Sequence, residues 1–435
     1  NAPWMSNINT ANRGEATINE MVNAFNTYWS TRDKNARGSG YKPFMRWEYH
    51  WKNYTNEQGY IMPAEQLWEA WRQKNQAKAS RNATNRALPP SNWQPVGPFT
   101  HTNTGSWSSG QGRVNIVHVD PSNPNTVYLG SPAGGIWKST NNGSTWTPLT
   151  DQLPQIGVSG IAVDYSNSNT IYIATGDKDA GDSYSVGVYK STDGGLTWSP
   201  TGTMGGSNPS RAGDIVIHPT NNQILWCATN NGIYKTTNAG TSWTQVQAGS
   251  FSQGNIRLKP GNPSTVYAVS NNRFYRSTNT GDSFTVVTTG LPTTSGRLLL
   301  DVTAANTEYV YILSATTGDA FQGIYRSTNG GTNWTRTSGT TDVFESTQAW
   351  YDLAFAVSPT NANELYTGCL NVWKSTNGGT AVSKLNSWSN PTGPSYTHAD
   401  IHYLGFHGNK LFAGTDGGIY VSENNGANFA DLTAG

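Results

Sequence analysis

Short apolar runs separated by polar turns recur along most of the chain. Beyond residue 92, a run such as Val114–Val119 leads through a Pro/Asn turn to a second run such as Val127–Ser131, and then to a third such as Ile136–Lys138. Short runs rich in Val, Ile and aromatic residues, bounded by Gly, Pro and Asn, are typical of β strands. The pattern therefore predicts consecutive antiparallel strands joined by tight turns.

One short motif follows each third run and repeats roughly every 40 to 50 residues. It reads Ser/Thr-x-Asn/Asp-x-Gly-x-x-aromatic, with Val382 in place of the aromatic residue in one copy. The copies are Ser139–Trp146, Ser191–Trp198, Thr236–Trp243, Ser277–Phe284, Ser327–Trp334, Ser375–Val382 and Ser422–Phe429. Repeats of this length indicate a propeller, which leaves only short strand edges exposed. We predict an all-β fold over residues 93–435, a seven-bladed β-propeller of four-stranded antiparallel blades.

The motif itself is predicted to form the turn from the third strand to the fourth. Its glycine tolerates left-handed backbone conformations, and its Asn or Asp side chain accepts hydrogen bonds from backbone N–H groups. These roles are structural. The motif copies are therefore not candidates for an active site.

Residues 1–92 follow a different, helical period and are predicted to form a small helical N-terminal segment. One apolar stripe comprises Ile18, Val22, Phe25 and Trp29, and a second comprises Leu67, Trp68 and Trp71. We expect two amphipathic helices joined by the aromatic segment Tyr41–Trp51. The run Ala77–Asn92 is expected to be the linker to the propeller.

The repeated motif matches the Asp-box, or BNR, repeat, and residues 93–435 resemble Asp-box β-propellers of the sortilin-like and xyloglucanase-like kind. The resemblance implies that each box is a turn at the periphery of a blade, with its aromatic residue packed between strands. The whole chain is similar to propeller proteins that Bacteroidetes-type bacteria export by type IX secretion. That similarity implies a secreted or cell-surface protein of a Gram-negative bacterium. Because the chain starts at Asn1 without an initiator Met, we expect it to be part of a longer precursor.

The charge balance excludes some functions. The chain carries 28 Lys+Arg against 27 Asp+Glu, and charged residues make up 13% of it. A protein without a basic excess is not expected to bind nucleic acid. No apolar run reaches the roughly 20 residues that a membrane-spanning helix needs. The low charge suits a secreted surface protein.

Two cysteines, Cys227 and Cys369, lie inside short apolar runs. Such positions favour two separate buried thiols, and a disulfide between them is the alternative.

Polar residues are expected to gather at one end of the central channel. In a propeller the loops from strand two to strand three, and from strand four to the next strand one, share one face. Aligning the first strands on the proline that follows each of them places Arg113, Arg211 and Tyr351 at the same level, with Arg297 and Asp400 within a residue of it. These side chains either ring the funnel or cap strand ends and pair with neighbouring carboxylates.

The last repeat opens with His398-Ala399-Asp400-Ile401-His402. On a strand, alternation would place His398, Asp400 and His402 on one face at intervals of about 6.5–7 Å. Such an array is a candidate for a divalent cation, for acid/base groups, or for a hydrogen-bonded network that lines the funnel.

Two loops between strands two and three are long and are expected to carry binding specificity. The first, Gly176–Gly187, contains Asp177, Asp179, Asp182 and Tyr184, and the second, Ala315–Gly323, contains Asp319 and Phe321. The Asp-rich loop suggests calcium but lacks the EF-hand spacing, and solvated carboxylates are the alternative. Trp107 and Trp350, near the starts of first strands, are candidates for stacking on sugar rings.

Glycosidic hydrolysis normally requires two carboxylates that flank the scissile bond. The resemblance to xyloglucanases implies a catalytic Asp in the first-blade loop between strands two and three, and another in a second propeller. Here the first-blade loop, Ser131–Gly135, contains no carboxylate, whereas the seventh-blade loop contains Asp416. Sialidases, which are also Asp-box propellers, use three arginines, but this chain lacks their Phe-Arg-Ile-Pro segment.

The sequence therefore favours a secreted binding module without enzymatic activity, whose funnel face recognises a polysaccharide or a surface protein. The expected ligand-binding residues are Arg113, Arg211, Arg297, Trp107, Tyr184, Phe321, Trp350, Tyr351, His398, Asp400 and His402. The first alternative is a glycoside hydrolase, xyloglucanase-like or sialidase-like, that uses Asp400, Asp416 or Asp177. The second is a scaffold within a larger exported protein. No cofactor is expected, with calcium as the alternative.

Overall fold

A computed structural model describes residues 3–5, 8, 16–36, 39–82, 97, 99–101, 110–154 and 156–433. The chain divides into two compact units, Asn1–Ser91 and Asn92–Gly435. Trp107 lies outside the described residues, so its expected role in binding has no structural description.

The first unit contains helices α1 (Ile18–Trp29), α2 (Tyr41–Trp51) and α3 (Ala64–Asn82). Helix α1 begins with a capping box: the Thr17 hydroxyl accepts from the amide of Glu20, and the Glu20 carboxylate accepts from the amide of Thr17 at 2.9 Å. The segment expected to connect two helices is thus itself a helix, α2. The reason is packing, because Phe44 is buried and its ring stacks 3.6 Å from that of Phe25.

Helix α3 continues to Asn82, so the prediction of a linker over Ala77–Asn92 is wrong in its first part. The Ala, Gln and Lys residues at the end of this helix have high helix propensity, which a compositional search for a linker overlooked. Residues 83–92 lie outside the described part of the chain. No helix among the described residues has the length and apolar character needed to cross a bilayer.

The second unit confirms the predicted propeller of seven four-stranded antiparallel sheets, each built from four consecutive strands in chain order. The strands of the first four blades are β1 (Ile116–Val119), β2 (Val127–Ser131), β3 (Gly135–Ser139), β4 (Thr147–Pro148); β5 (Val158–Asp164), β6 (Asn167–Thr175), β7 (Val188–Ser191), β8 (Ser199–Pro200); β9 (Ala212–Ile217), β10 (Leu225–Thr229), β11 (Gly232–Thr236), β12 (Thr244–Ala248); β13 (Ile256–Lys259), β14 (Asn262–Val269), β15 (Phe274–Ser277) and β16 (Thr285–Val287). Those of the last three are β17 (Arg297–Val302), β18 (Val310–Ala315), β19 (Phe321–Ser327), β20 (Thr335–Arg336); β21 (Ala354–Val357), β22 (Leu365–Gly368), β23 (Val372–Ser375), β24 (Ser383–Lys384); β25 (Ile401–His407), β26 (Lys410–Thr415), β27 (Gly418–Ser422) and β28 (Ala430–Asp431).

The core lies between neighbouring blades. Leu313 of blade five, for example, belongs to the same buried cluster as Phe355 of blade six. The second strands are largely buried, and in blade three all five residues of β10 are buried. Cys227 and Cys369 are both buried and unpaired, which confirms the prediction of two separate thiols.

The repeated motif forms the turn between strands three and four in every blade. In the first copy the amide of Gly143 donates to the Ser139 hydroxyl at 2.8 Å, and the amide of Thr145 donates to the Asn141 side chain at 2.9 Å. Between them, Asn142 adopts a left-handed backbone with φ of 60°. The Ser/Thr-to-Gly bond recurs in the other six copies.

Packing and a few hydrogen bonds close the ring, because blades one and seven share no strand. The amide of Val114 donates to the carbonyl of Thr415 at 3.0 Å, and the Trp146 indole donates to the carbonyl of Leu432 at 2.8 Å. Side chains of both blades form one buried cluster at this junction, which we call the seam.

Candidate active site

The long loop of blade two, Gly176–Gly187, folds around a buried carboxylate instead of presenting it to solvent. The Asp177 side chain is 0% exposed, and its Oδ2 accepts hydrogen bonds from the amides of Ala180 and Asp182 at 3.2 and 3.0 Å. The alternative of solvated carboxylates is therefore wrong for Asp177 and also for Asp179, whose side chain is equally inaccessible. Hydrogen bonds from amides of the same loop enclose the Asp177 carboxylate.

Asp177 pairs with blade one. An Nη2–Oδ2 distance of 2.6 Å joins Arg113 to Asp177, and the Asn115 amide donates to the other oxygen at 3.0 Å. Burial alone would lower the pKa of Arg113, but the charge of Asp177 raises it above its usual range. Asp177 is thus enclosed by partners. It does not have the access to substrate that its candidacy as a catalytic group requires.

Asp179 reaches across the ring and joins three blades. Its Oδ1 accepts from Arg297 of blade five at 2.7 Å, and its Oδ2 lies 2.9 Å from Nδ1 of His402 of blade seven. Burial would raise the pKa of Asp179, but the charge of Arg297 and the bond from His402 hold it well below its ordinary value. Asp179 therefore connects the blade-two loop to blades five and seven on the other side of the ring.

His402 also contacts Asp416 and so extends this hydrogen-bonded network. Its Nε2 lies 2.9 Å from Oδ1 of Asp416, and the Tyr351 hydroxyl donates to both oxygens of that carboxylate at 2.8 and 2.9 Å. Burial would lower the pKa of His402, but the hydrogen bonds to the two aspartates raise it. The imidazole is consequently stabilised as a cation that donates from both nitrogens. In turn His402 and Tyr351 lower the pKa of Asp416 against the effect of burial.

Asp400 lies beside Asp416, Asp352 lies beside Asp400, and the pKa values of both carboxyls are raised rather than lowered. The Gln348 amide donates to Asp400 at 2.8 Å and to Asp352 at 3.1 Å. Burial, and then the charge of Asp416, raise the pKa of Asp400. Burial, and then the charge of Asp400, raise the pKa of Asp352 to about 7. The face thus places Asp416, whose pKa is lowered, next to Asp400, whose pKa is raised.

Asp400 also carries backbone strain. Its φ is 63°, a left-handed value that costs a non-glycine residue about 1 kcal/mol or more. The amide of Asp416 donates to its carbonyl at 3.2 Å, which places the two residues side by side. Strain of this kind persists where surrounding contacts enforce it, and it clusters at functional sites.

The predicted array of His398, Asp400 and His402 on one strand face is wrong. Strand β25 begins only at Ile401, and its register with β26 shifts between Ile401 and Tyr403. The three side chains consequently have different surroundings, with Nδ1 of His398 lying 3.1 Å from the carbonyl of Ala399. Among the described residues, no cluster of three or more His, Cys, Asp or Glu side chains is arranged to hold a metal ion.

The remaining predicted ligand residues differ in exposure. Tyr184 and Trp350 are 59% and 51% exposed on the loop face. Arg211 is half-buried, with its guanidinium against Gly181 of the blade-two loop. Phe321 instead packs edge-on against Phe344 at 5.3 Å, which leaves it less available as a ligand platform.

Sequence reasoning missed several polar groups that hold this face together. The most important are Asn115, Gln348 and Gln253, whose amide donates to the carbonyl of Trp350 at 2.7 Å. None of them belongs to a motif. Asn115 lies two residues beyond Arg113, and that proximity to a predicted funnel residue was the available signal.

The described residues define a seven-bladed β-propeller whose loop face combines a buried ion-pair network with carboxyl groups of opposite ionisation tendency. No model of a known protein family matches the chain. The chain is 27% identical over 348 residues to a xyloglucanase of Paenibacillus sp., an alignment covering 75% of this chain and 30% of the relative. It is 33% identical over 135 residues to a xyloglucanase of Acetivibrio thermocellus, covering 28% and 16%.

Solved structures of glycoside hydrolase family 74 share the fold. The xyloglucanase from Xanthomonas campestris superimposes with a TM-score of 0.55 at 18% identity, over 77% of this chain and 55% of that one. The enzyme from Niastella koreensis gives a TM-score of 0.53 at 21% identity, over 76% and 54%. The chain therefore spans about half the length of these solved structures and less than a third of the curated relatives.

Proposed function

We propose that this chain is a propeller unit of a xyloglucanase-like glycoside hydrolase that acts on a β-glucan backbone at the loop face. The curated relatives favour the hydrolase alternative, and they lend no support to the binding module that the sequence favoured. The observation that carries the proposal is the juxtaposition of Asp400 and Asp416 with pKa values displaced in opposite directions. Pairs of this kind divide the roles of acid and charged partner in glycoside hydrolysis.

In the proposed mechanism Asp400 is the general acid. Burial and the charge of Asp416 raise its pKa and so favour the protonated form, which would give its proton to the departing glycosidic oxygen. Asp416, kept ionised by His402 and Tyr351, supplies negative charge to the oxocarbenium-like transition state and accepts a proton from the water that attacks the anomeric carbon. Asp179 is a positioning residue, because it fixes the imidazolium that holds Asp416.

The test measures reducing ends released from xyloglucan by the purified protein and by its Asp400→Asn and Asp416→Asn variants. Loss of an acid/base group should lower kcat by roughly 10²- to 10⁴-fold. The matched control is Asp151→Asn, an exposed aspartate in the loop that leads from blade one to blade two. Activity that survives both substitutions would refute the assignment.

A second candidate function is polysaccharide binding without hydrolysis, for which the exposed rings of Tyr184 and Trp350 on the loop face are the specific observation. It predicts xyloglucan retention in affinity gels that Trp350→Ala weakens, with no release of reducing ends by the wild type. We further propose that the chain acts outside the cell as part of a longer protein, in line with its low charge and its partial coverage of longer relatives.

A further inference from the structure

Arg211 lies at the loop face where blade two meets blade three, and its guanidinium is unpaired. The two other arginines aligned near the starts of first strands have counter-ions, because Arg113 pairs with Asp177 and Arg297 pairs with Asp179. No residue in the described part of the chain accepts a hydrogen bond from the Arg211 guanidinium or forms an ion pair with it. Its charge and its N–H donors are therefore available to a ligand.

The backbone of Arg211 is held firmly by blade three. Its amide donates to the Asn230 side chain at 3.0 Å, and its carbonyl accepts from the amide of Asn230 at 3.1 Å. Strand β9 begins at the next residue, Ala212. The guanidinium is thus presented from a fixed strand end, which lowers the entropic cost of holding a ligand there.

The guanidinium is also packed against the blade-two loop. A β-carbon at Gly181 would lie 2.5 Å from Nη2, 3.0 Å from Cζ and 3.2 Å from Nε of Arg211. Gly181 has a φ of 76°, a left-handed value that favours glycine. The loop therefore leaves room for the arginine at this point, and the side chain is packed although it is not paired.

The acidic residue that follows Gly181, Asp182, does not serve as the counter-ion of Arg211. Its Oδ2 lies 3.3 Å from Nη2 of Arg113, and its amide donates to the Asp177 carboxylate at 3.0 Å. Asp182 thus belongs to the Arg113–Asp177 network. Because Arg211 keeps a full charge and unused donors, its surroundings are complementary to an external anion.

Two further groups lie close to Arg211, because the blade-two loop pairs with the segment that precedes β9. The amide of Ser185 donates to the carbonyl of Ser210 at 3.0 Å, so Tyr184 and Arg211 are each one residue from an end of that bond. The Tyr184 ring is exposed. The Ser210 hydroxyl accepts from the Asn230 side chain at 3.1 Å, and its own proton is left to donate.

We propose that Arg211, Ser210 and Tyr184 form a subsite for an acidic sugar residue, with the carboxylate of a uronic acid on Arg211. A planar guanidinium matches a carboxylate through two parallel hydrogen bonds. The Tyr184 ring stacks on the apolar face of the sugar, and Ser210 donates to one of its oxygens. The inference rests on the proposed function only in taking a polysaccharide as the ligand, and it adds a negatively charged sugar to the neutral β-glucan backbone.

The probe is cellotetraose whose non-reducing residue is oxidised to glucuronate, and its control is cellotetraose itself. Titration calorimetry with the full chain should give at least a tenfold lower Kd for the glucuronate probe. Cellotetraose sulfated at O6 of the same residue is the third ligand. It should bind more weakly than the glucuronate probe, because the planar carboxylate fits the guanidinium better.

Arg211→Gln should make the Kd values of the glucuronate probe and of cellotetraose equal. The matched control is Arg273→Gln, which removes an exposed arginine from the β14–β15 turn on the same face and should leave the preference for glucuronate unchanged. Tyr184→Ala should weaken both ligands alike. Should Arg211→Gln fail to fold, Gly181→Ala replaces it, since the added carbon displaces the guanidinium and should reduce the preference at least fivefold.

Equal affinity of the wild type for the glucuronate probe and cellotetraose, or no measurable binding of either, would overturn the proposal. So would a preference that persists in a folded Arg211→Gln or Gly181→Ala variant, or one that Arg273→Gln lowers as much. Tighter binding of the sulfated ligand would overturn the choice of a carboxylate. Because Kd is measured without turnover, a wild type that binds glucuronate but releases no reducing ends from xyloglucan would refute the proposed hydrolysis and support this subsite.

Discussion

Replacing Asp179 with asparagine should destabilise the propeller strongly, although the side chain keeps its size. The carboxylate is 0% exposed, and so is its partner His402, while Arg297 is 2% exposed. The substitution leaves the Arg297 charge buried without its counter-ion and removes the anion that stabilises protonated His402. Breaking a buried pair in this way costs about 3–5 kcal/mol. For a domain of this size that corresponds to a fall in Tm of roughly 5–10 °C.

Differential scanning calorimetry at pH 7 measures this effect, with Asp193→Asn as the control. Asp193 occupies the third position of its turn motif, where the other copies have asparagine, so this variant removes a charge without removing a turn residue. Its Tm should stay close to that of the wild type. An Asp179→Asn/Arg297→Met double variant should lose less than the sum of the single variants, because the orphaned charge is gone.

The reasoning would be refuted if Asp179→Asn unfolded at the wild-type temperature. That result would mean that water or rearranged loop residues solvate Arg297 as well as the carboxylate does. Additive losses in the double variant would equally contradict a direct pairing of Asp179 with Arg297, since independent sites add and coupled sites do not.

Three further predictions concern ionisation and the helical unit. The pKa of His402 in the folded protein is raised above 6.5, so its contribution to stability is complete below pH 6.5 and is lost as pH rises through the folded pKa. Tm should therefore fall over this window in the wild type. The fall should be absent in His402→Gln. The pKa of Asp352 is raised from 3.8 to about 7, so this residue increasingly destabilises the fold as pH rises between those values. Asp352→Asn should therefore raise the free energy of unfolding by about 2–4 kcal/mol at pH 8 and little at pH 4, as measured by urea unfolding. Phe44→Ala removes the ring stacked on Phe25 and should cost the helical unit about 3–5 kcal/mol, seen as loss of the near-ultraviolet circular dichroism of that unit.

The fold was predictable because its causes are local and repeated. Each turn motif satisfies its own backbone: Ser139 and Asn141 bond amides within the same turn, and Asn142 and Gly143 adopt the left-handed values that the turn requires. The turn can be recognised from the sequence of a single repeat, and its recurrence in the other repeats supports the prediction. Segment Tyr41–Trp51 occurs once, and its helical state depends on a contact with another helix, so no repetition pointed to it.

The site was only partly predictable because its contacts cross the ring. Asp179 lies 118 residues from Arg297 and 223 residues from His402 in sequence. Alignment of the first strands brought Arg113, Arg297 and Tyr351 to the correct face, since strand starts follow the repeat. It did not predict that the blade-two loop turns inward, because that conformation comes from bonds of the loop to its own Asp177.

Blade seven departs from the other repeats at a residue that the proposed hydrolysis requires. The short loops between strands two and three of blades one, three and six contain no aspartate, whereas that of blade seven contains Asp416. Since the other repeats show what folding alone requires, a residue that breaks the rule without an evident packing gain points to a second demand on that position.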